Sequence, residues 1–428
     1  MTFNALNLHP ALLRSIEQRG YPSPTAIQSA AIPLILQGSD VIACAQTGSG
    51  KTSAFCLPLL ERWNAEKITK PRKVHTLILV PTRELAIQVG DTLRSLAAYL
   101  PKPIKLAVVY GGISINPQML HLRGGADMLV ATPGRLLDLI THHAVSIAHI
   151  QSLVLDEADR LLDLGFSEEL NQIMALVPEQ RQTILFSATF PEQVTQLAGQ
   201  ITHHALQVEV ADTPISKPNI CQRAIAVDMQ RRTELLRHLI QQQAWDRVLV
   251  FASSRYACEL IALKLRKVHI LAEPFHGELG QGKRNQVLSD FKTNRINVVV
   301  ATDLAARGID IPNLPAVINY DPPRSSDDYT HRIGRTGRAG SAGTAISFIC
   351  ASNDAHFRFI EKQQQIQLER EQITGFEPLF QDVSVTPEEK ELAGSSTGGI
   401  KGRRPSKKDK LRALALMQQT AGSGTDNP

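Results

Sequence analysis

The chain has 428 residues, of which 43% are hydrophobic and 20% are charged, and its formal net charge is +5. This length predicts two or three domains, and the composition supplies enough apolar side chains for buried cores, which excludes a largely disordered chain. The segment 401–410 carries six Lys or Arg side chains against one Asp, so the rest of the chain is electrically neutral. An anionic partner of the main body must therefore be held by local groups.

The five cysteines are scattered and include no Cys-x-x-Cys pair, which argues against disulfide and zinc frameworks. No apolar run approaches about 18 residues, the length needed to span a membrane. Residues 1–10 lack the basic and apolar regions of a secretory signal. We therefore expect a reduced, cytoplasmic protein without membrane contact. The histidine pairs at 142–143 and 203–204 are interpreted as surface or core side chains, because adjacent residues point apart.

Short β-branched and leucine-rich runs alternate with helical patterns, which is typical of buried parallel strands. The first series of predicted strands is 41–44, 77–80, 106–110, 128–131, 153–155, 184–186 and 206–210. The second series is 224–227, 248–251, 298–301, 317–320 and 345–349. Between them, residues 211–220 contain two prolines and no periodicity, which indicates a linker. The pattern predicts two α/β domains in tandem.

The apolar runs stop after residue 353. A Gln-rich segment at 361–371 has a helical pattern, and Gly, Ser, Thr and the basic run at 401–410 dominate the remainder. This composition predicts a flexible, mostly disordered tail over 376–428.

The strongest local signal is Ala-Gln-Thr-Gly-Ser-Gly-Lys-Thr at 45–52, between the first predicted strand and a helical pattern. This is the context of a phosphate-binding loop. Gly48 and Gly50 would let backbone N–H groups approach phosphates, and Lys51 would reach the β- and γ-phosphates. The Thr52 hydroxyl could ligate Mg²⁺. The alternative is an ordinary Gly-rich turn.

An acidic pair, Asp156 and Glu157, follows the predicted strand 153–155. In this place Asp156 would lie near Mg²⁺, and Glu157 could orient or deprotonate an attacking water. The alternative is a solvated strand end.

A basic cluster at 331–338 holds three arginines at a spacing of three and two glycines. Arginine suits the charge that builds on a transferring phosphoryl group. Because this cluster belongs to the second domain, it could complete a site in the first domain only when the domains close. The alternative is a solvated basic surface.

Together these motifs resemble the DEAD-box RNA helicase family, whose signature Asp-Glu-Ala-Asp stands at 156–159. The other family motifs match at 20–28, with Phe3 as the upstream aromatic, and at 81–86, 111–112, 132–135, 187–189, 250–251 and 301–310. The resemblance covers about residues 3–350. It implies an N-terminal RecA-like ATP-binding domain at 1–210, a linker at 211–220, a C-terminal RecA-like helicase domain at 221–375 and the basic tail.

The resemblance implies an RNA-stimulated ATPase that uses ATP and Mg²⁺. The ATP-binding residues it implies are Phe3, Tyr21, Thr25, Gln28, Ala45, Gln46, Thr47, Gly48, Ser49, Gly50, Lys51, Thr52 and Asp310. The catalytic residues are Lys51, Asp156, Glu157, Arg335 and Arg338, and the metal ligands are Thr52 and Asp156. Coupling of nucleotide state to domain closure is expected from Ser187, Thr189 and His331. Alternatives stay open: Tyr21 as core, Asp310 as a turn residue, and Ser187 and Thr189 as caps.

RNA contacts are expected where strands open into helices, because backbone N–H groups and arginines there suit phosphates. The first domain would contribute Pro81, Thr82, Arg83, Gly112, Thr132, Pro133 and Arg135. In the second domain the resemblance to the family implies Arg255, His276, Gly277 and Thr302. Phosphate contacts carry no sequence information, so the expected binding is sequence-nonspecific. One departure from the family pattern is Gly280, where a Ser or Thr usually precedes the Gln-x-x-Arg motif.

The function expected from these residues is local unwinding or remodelling of short RNA duplexes by ATP-driven domain closure around single-stranded RNA. An ATP-gated RNA clamp or scaffold with little unwinding is the alternative, and a DNA translocase is a weaker one. The tail and short N-terminal lead resemble the bacterial RhlE-like branch. A monomer is expected, with ribosomal or RNA-decay assemblies as further partners.

Overall fold

The structure, a computed structural model, describes residues 2–45, 49–68, 70–209, 219–306, 314–337 and 342–379. Most of the predicted linker and the tail from residue 380, including the basic run 401–410, lie outside these ranges. The predicted site residues Gln46, Thr47, Gly48, Asp310 and Arg338 also lie outside them. Among the described residues, no helix has the length and apolar character needed to cross a membrane.

The first sheet is built from a series of short parallel strands. They are β1 (Val41–Cys44), β2 (Thr76–Leu79), β3 (Leu106–Val109), β4 (Met128–Ala131), β5 (Ser152–Leu155), β6 (Gln182–Ser187) and β7 (Leu206–Glu209). A short 3₁₀ helix at Phe3–Leu6 precedes the helices α1 (Pro10–Gln18), α2 (Ala26–Leu36), α3 (Lys51–Ala65), α4 (Arg83–Leu96), α5 (Asn116–Leu122), α6 (Pro133–Thr141), α7 (Ala158–Asp163), α8 (Ser167–Met174) and α9 (Glu192–Ile201).

The strand order of this sheet is β3-β4-β2-β5-β6-β1-β7, and neighbouring strands are parallel. Leu77 and Leu79 of β2 enter the core on one face, whereas Ile78 enters the core on the other face. Because both faces are covered by helices, successive residues are apolar and the strands appear in the sequence as continuous runs.

The second sheet repeats this design. Its strands are β8 (Ile220–Ala226), β9 (Val248–Phe251), β10 (Ala272–Phe275), β11 (Val298–Ala301), β12 (Ala316–Asn319), β13 (Gly343–Ile349) and β14 (Arg370–Glu371), in the order β10-β11-β9-β12-β13-β8-β14. The helices are α10 (Arg232–Gln243), α11 (Arg255–Arg266), α12 (Gln281–Lys292), α13 (Asp303–Ala306), α14 (Ser326–Ile333) and α15 (Asp354–Gln364). The prediction of two parallel α/β sheets is confirmed.

Two edge strands were not predicted. In β10, Glu273 and Pro274 interrupt the apolar run, and Pro is tolerated because an edge strand leaves one row of N–H groups unpaired. Strand β14 has only two residues, Arg370 and Glu371. Its pairing with β8 is reinforced by Glu371, which accepts hydrogen bonds from Arg223 of that strand at 2.6–3.1 Å.

The C-terminal elements differ from the prediction. The Gln-rich helix spans Asp354–Gln364 rather than 361–371, and it ends where Gln365 adopts a left-handed conformation with φ of 54°. The fold also extends beyond the predicted domain end at 375. Phe376 packs against the His238 ring at 5.3 Å, and the Leu379 N–H donates to Asp228 at 3.0 Å. At the other end, Ile220 belongs to β8 and not to the linker.

Candidate active site

The loop between β1 and α3 is held by the helix α2 that precedes it. Gln28 donates from Nε2 to the Gly50 carbonyl at 3.1 Å and accepts from the Thr25 N–H at 3.0 Å. Gly50 has φ of +93°, and a Cβ at this position would meet Gln28 Nε2 at 2.5 Å. Glycine is therefore required both by the conformation and by the close approach of α2.

A buried lysine and a buried carboxyl lie together next to this loop. Lys51, the first residue of α3, is 6% exposed, and its Nζ has no hydrogen-bond partner among the described residues. Burial raises the pKa of Asp156 to about 7; the Lys51 charge opposes this shift and Glu157 adds to it. An unpartnered buried ammonium fits an anionic ligand such as phosphate. A buried carboxyl beside it fits a divalent cation whose remaining ligands are phosphate oxygens.

Three further predicted residues lie at the end of β1 and around the start of α3. Ala45 is buried and donates its N–H to the Ser187 carbonyl at 3.1 Å, while Ser49 and Thr52 are half-buried. Within the described part of the chain, no cluster of three or more His, Cys, Asp or Glu side chains could hold a metal by itself. A Mg²⁺ ion would therefore depend on Thr52, Asp156 and ligand oxygens together.

Glu157 has an unusual backbone conformation. It lies in the left-handed region, with φ of 52° and ψ of 53°, directly before α7. A non-glycine residue there costs on the order of 1 kcal/mol and is typical of functional sites. The two acidic residues also differ in exposure, since Asp156 is buried whereas Glu157 is half-buried.

The fourth residue of the acidic signature, Asp159, organises a polar network that sequence reasoning missed. Its Oδ2 accepts from the Thr189 N–H at 3.2 Å and from the Thr189 hydroxyl at 3.1 Å. Ser187 accepts from the Asp159 N–H at 3.3 Å and donates to the Thr189 carbonyl at 2.6 Å. Ser187 and Thr189, predicted as coupling residues, are thus bonded to the segment that carries Asp156.

Arg160 links this segment to the second sheet. It is 5% exposed, and its guanidinium contacts Asp163 at 3.1 Å and Asp328 at 3.5 Å. It also bonds Nδ1 of His331 in α14. The predicted coupling residue His331 therefore lies beside the acidic segment, through an arginine that the sequence analysis did not select.

The basic cluster at 331–338 divides into different roles. Arg332 is 2% exposed and forms a bidentate ion pair with Asp303, with bonds of 2.5 and 2.7 Å. It also donates to Asn319 at 3.1 Å, so it is a structural residue. Arg335 is half-buried, and its N–H donates to the Arg332 carbonyl at 3.1 Å.

The two aromatic residues predicted at the nucleotide lie near the core. Phe3 is 7% exposed and belongs to the hydrophobic cluster beneath α1 and α2. Tyr21 is half-buried against the same cluster, and its hydroxyl accepts from Arg19 Nε at 3.1 Å. The expected contact of Phe3 and Tyr21 with the nucleotide stays a prediction.

A second row of predicted residues follows β2, β3 and β4, which are neighbours in the sheet. Pro81 is buried, Thr82 caps α4 by accepting from the Leu85 N–H at 3.3 Å, and Pro133 begins α6. Thr132 accepts from the Gly111 N–H at 3.3 Å.

Two arginines complete this row. The Arg83 guanidinium lies against Gly112, which has φ of +78°, a backbone conformation that favours glycine. Arg135 donates from Nη2 to the Ile113 carbonyl at 2.8 Å, while its Nη1 is buried without a hydrogen-bond partner among the described residues. An unsatisfied buried guanidinium nitrogen fits an external acceptor such as a phosphate oxygen.

The equivalent row in the second sheet follows β9, β10 and β11. Arg255 is exposed and paired with Glu278. His276 is 6% exposed, its Nε2 lies 2.9 Å from Glu259, and its Nδ1 has no hydrogen-bond partner among the described residues. Gly277 has open space around it, and the Thr302 N–H donates to the Phe275 carbonyl at 3.3 Å.

The two rows are joined by a buried ion pair that the sequence analysis also missed. Glu84 accepts from Arg284 Nε at 2.9 Å and from Gln281 Nε2 at 3.2 Å. Both charged side chains are at most 7% exposed. Arg284 and Gln281 lie at the start of α12, which begins normally although Gly280 supplies no side-chain cap.

The sequence matches the family model described as DEAD/DEAH box helicase over residues 25–197. A second match, to the helicase conserved C-terminal domain, covers residues 231–340. The chain is 40% identical to DEAD-box ATP-dependent RNA helicase CshA of Streptococcus pneumoniae, over 88% of this chain and 70% of that protein. It is 38% identical to ATP-dependent RNA helicase DeaD of Mycobacterium tuberculosis, over 94% and 69% respectively.

Solved structures agree with this assignment. Mss116p bound to ssRNA and AMP-PNP has a TM-score of 0.79 and 26% identity, covering 98% of this chain and 86% of that one. Dbp5 of S. cerevisiae bound to RNA and ADP BeF3 has a TM-score of 0.77 and 30% identity, covering 87% and 95%. These matches identify the two sheets as tandem RecA-like domains. The chain therefore belongs to the DEAD-box ATP-dependent RNA helicases and is an ATP-hydrolysing RNA helicase.

Proposed function

We propose that the protein binds single-stranded RNA without sequence preference and uses closure of its two RecA-like domains on ATP to separate short duplexes locally. The observation that carries this proposal is the Arg160 contact with Asp328 and His331. Through this contact, the acidic segment of the first domain and the helix before Arg335 share one buried network. Hydrolysis would then require both domains to be together.

At the nucleotide, Lys51 would hold the β- and γ-phosphates, and Thr52 and Asp156 would hold Mg²⁺. When bound, Mg²⁺ would neutralise charge on the phosphate oxygens. Glu157 would orient the attacking water and accept its proton. Arg335 and Arg338 would stabilise charge on the transferring phosphoryl group from the second domain. Gln28 would link adenine recognition to the loop, since it already bonds Gly50.

The nucleotide state would reach the RNA site through Asp159. Because Ser187 and Thr189 both bond this residue, a shift of the acidic segment moves the end of β6 with it. The neighbouring strand β5 lies between β6 and β2, whose end carries Thr82 and Arg83. The nucleotide state would then reach the RNA site through the ends of neighbouring strands of one sheet.

RNA would lie along the two rows of strand ends. Support comes from Nη1 of Arg135, which has no hydrogen-bond partner within the described ranges, and from the N-terminal ends of α4 and α6, which present backbone N–H groups. These groups recognise phosphate and sugar and do not read bases, so binding would be sequence-nonspecific. Two solved relatives are bound to RNA and to ssRNA, which supports RNA as the ligand.

The test combines two assays on the full chain: RNA-stimulated ATP hydrolysis and strand release from a short RNA duplex. We expect both activities, with stimulation by RNA and not by DNA of the same sequence. ATP hydrolysis without strand release would favour the alternative, an RNA clamp whose ATPase sets its residence time.

The matched variant for this test is Lys51→Ala, which removes the buried ammonium from the phosphates. We expect loss of productive ATP binding and of both activities, because the β- and γ-phosphates lose the buried cation that would hold them. Lys67→Ala, at an exposed position, is the control. Hydrolysis near the parent rate in Lys51→Ala would refute the phosphate-loop assignment.

A further inference from the structure

A cleft of about 930 Å³ lies on the first domain, away from the motifs described above. Its walls are the segments before β2, β4 and β5, together with α5. In a parallel sheet these segments lie at the amino ends of the strands, whereas the nucleotide and RNA motifs follow the carboxyl ends. A ligand in the cleft would therefore leave the active site open.

The cleft is cationic. Lys73 and Arg123 are exposed at its rim with His142, His143 and His149, and its lining contains no Asp or Glu. Arg72 also lines the cleft but is paired with the buried Asp127. The rim cations thus face no carboxylate within the cleft. This surface is therefore electrostatically complementary to an anionic ligand.

The cleft also has an apolar wall. Leu120 is 56% exposed there, beside the half-buried Met119, and Val74 and Leu122 connect this wall to the core of the domain. A large aliphatic side chain at this exposure, beside a row of cations, offers a contact that is amphipathic and not purely electrostatic.

The cleft is preformed by tight backbone packing. Gly124 and Gly125 both have left-handed conformations, with φ of +76° and +80°, and a Cβ on Gly125 would collide with the Arg72 carbonyl. The Arg72 N–H donates to the Gly124 carbonyl at 3.2 Å. A rigid rim lowers the entropy cost of binding.

We propose that this cleft binds an acidic, leucine-containing segment of a partner protein. Its carboxylates would contact Lys73 and Arg123, and an aliphatic side chain would pack on Leu120. A peptide is favoured over single-stranded RNA because the exposed Leu120 and the half-buried Met119 offer an aliphatic contact that a sugar–phosphate backbone does not use. The inference does not depend on the proposed RNA path.

The experiment measures fluorescence anisotropy of short labelled peptides with the full chain, with the RNA site filled by saturating RNA and AMP-PNP. The first peptide is rich in Asp and Glu and contains leucines. The second replaces the leucines by serine, and the third replaces the acids by lysine. We expect binding of the first, weaker binding of the second and none of the third.

Variants locate the site. Lys73→Glu combined with Arg123→Glu should lower the affinity for the first peptide by about tenfold or more, since two rim charges are reversed. Leu120→Ser should remove the preference for leucine over serine. The controls are Lys67→Glu combined with Arg237→Glu, which has the same charge change, and Leu263→Ser, another exposed helical leucine. RNA-stimulated ATPase should be unchanged in all of them.

Three results would overturn the proposal. The first is no binding of the acidic leucine peptide by the parent chain, and the second is equal binding by the parent and the charge-reversed variant. The third is a loss of RNA affinity in that variant without a loss of peptide affinity, which would make the cleft an RNA surface.

Discussion

At the scale of single residues, Asp156 gives the fold a specific pH dependence. Its pKa is about 7 in the folded protein, against 3.8 for a free carboxyl, so the folded state binds this proton more tightly than the unfolded state. The resulting stabilisation is fully present below about pH 4 and is lost as the pH rises through about 7. At higher pH a buried negative charge remains, which the Lys51 charge offsets only in part.

Asp156→Asn should therefore stabilise the nucleotide-free protein at pH 8 relative to the parent, and less so at pH 5. Where Asp156 is fully ionised, the free energies of unfolding of the variant and the parent should differ by about a few kcal/mol. Thermal melting of both proteins at each pH measures it, with the exposed Asp246→Asn as the control. A constant difference in melting temperature between pH 5 and pH 8 would show that Asp156 is already ionised in the fold.

Glu157→Gln tests the proposed proton acceptor. The amide keeps the shape of the carboxylate but cannot accept a proton, so ATP and RNA should still bind while turnover falls by about 10²–10⁴. Steady-state hydrolysis and nucleotide binding are measured side by side, with the exposed Glu168→Gln as the control. Weak ATP binding in Glu157→Gln would instead mean that this side chain has a structural role in the left-handed turn.

At the scale of elements, α4 and α12 are joined by the Glu84–Arg284 pair. Removing one partner leaves the other charge buried, which costs about 3–5 kcal/mol, whereas removing both costs less. Glu84→Gln and Arg284→Met should each raise the RNA needed for half-maximal ATPase by about tenfold or more. In the double variant, the increase in the RNA needed for half-maximal ATPase should be smaller than the product of the two single increases.

The control for this cycle is the more exposed ion pair between Lys283 and Glu273, one residue away on α12. Lys283→Met should change the RNA requirement by no more than a factor of a few, as for most surface pairs. Additive effects of Glu84→Gln and Arg284→Met would mean that the pair does not act across the two domains.

The elements also show what could be predicted from the sequence. Continuous apolar runs located most strands, but their ends were misjudged where polar residues are buried, as with Gln182 and Thr183 at the start of β6. The nucleotide loop and the acidic pair could be proposed from the sequence because their motifs are local in the chain. Glu84 could not be paired with Arg284, because 200 residues separate them and only the fold brings them together.

At the scale of the whole molecule, the proposed site needs both domains. The fragment of residues 1–210 keeps Lys51, Asp156 and Glu157 but loses His331 and the arginines that follow it. We expect this fragment to bind nucleotide weakly and to show almost no RNA-stimulated ATPase. Its circular dichroism and melting temperature serve as the control for folding. Substantial stimulated hydrolysis by the fragment would contradict the two-domain site.

The last prediction concerns the basic run at 401–410, whose six Lys and Arg side chains would add positive charge for RNA phosphates to that of the two rows of strand ends. If all six met single-strand phosphates, the slope of log affinity against log salt would steepen by about 4. Truncation after Ser395 should therefore weaken RNA binding, flatten its salt dependence and raise the RNA needed for stimulation. Turnover at saturating RNA should stay nearly unchanged, because the catalytic residues are untouched.

A full-length variant with these six side chains replaced by glutamine separates charge from length. It should reproduce the flatter salt slope of the truncation, since the slope counts the phosphates neutralised and not the residues ordered. Identical salt slopes for the parent and the truncated protein would mean that the basic run aids solubility and does not contact RNA. A collapse of saturated turnover on truncation would show instead that the tail acts on the catalytic domains, because RNA affinity no longer limits the rate when RNA is saturating.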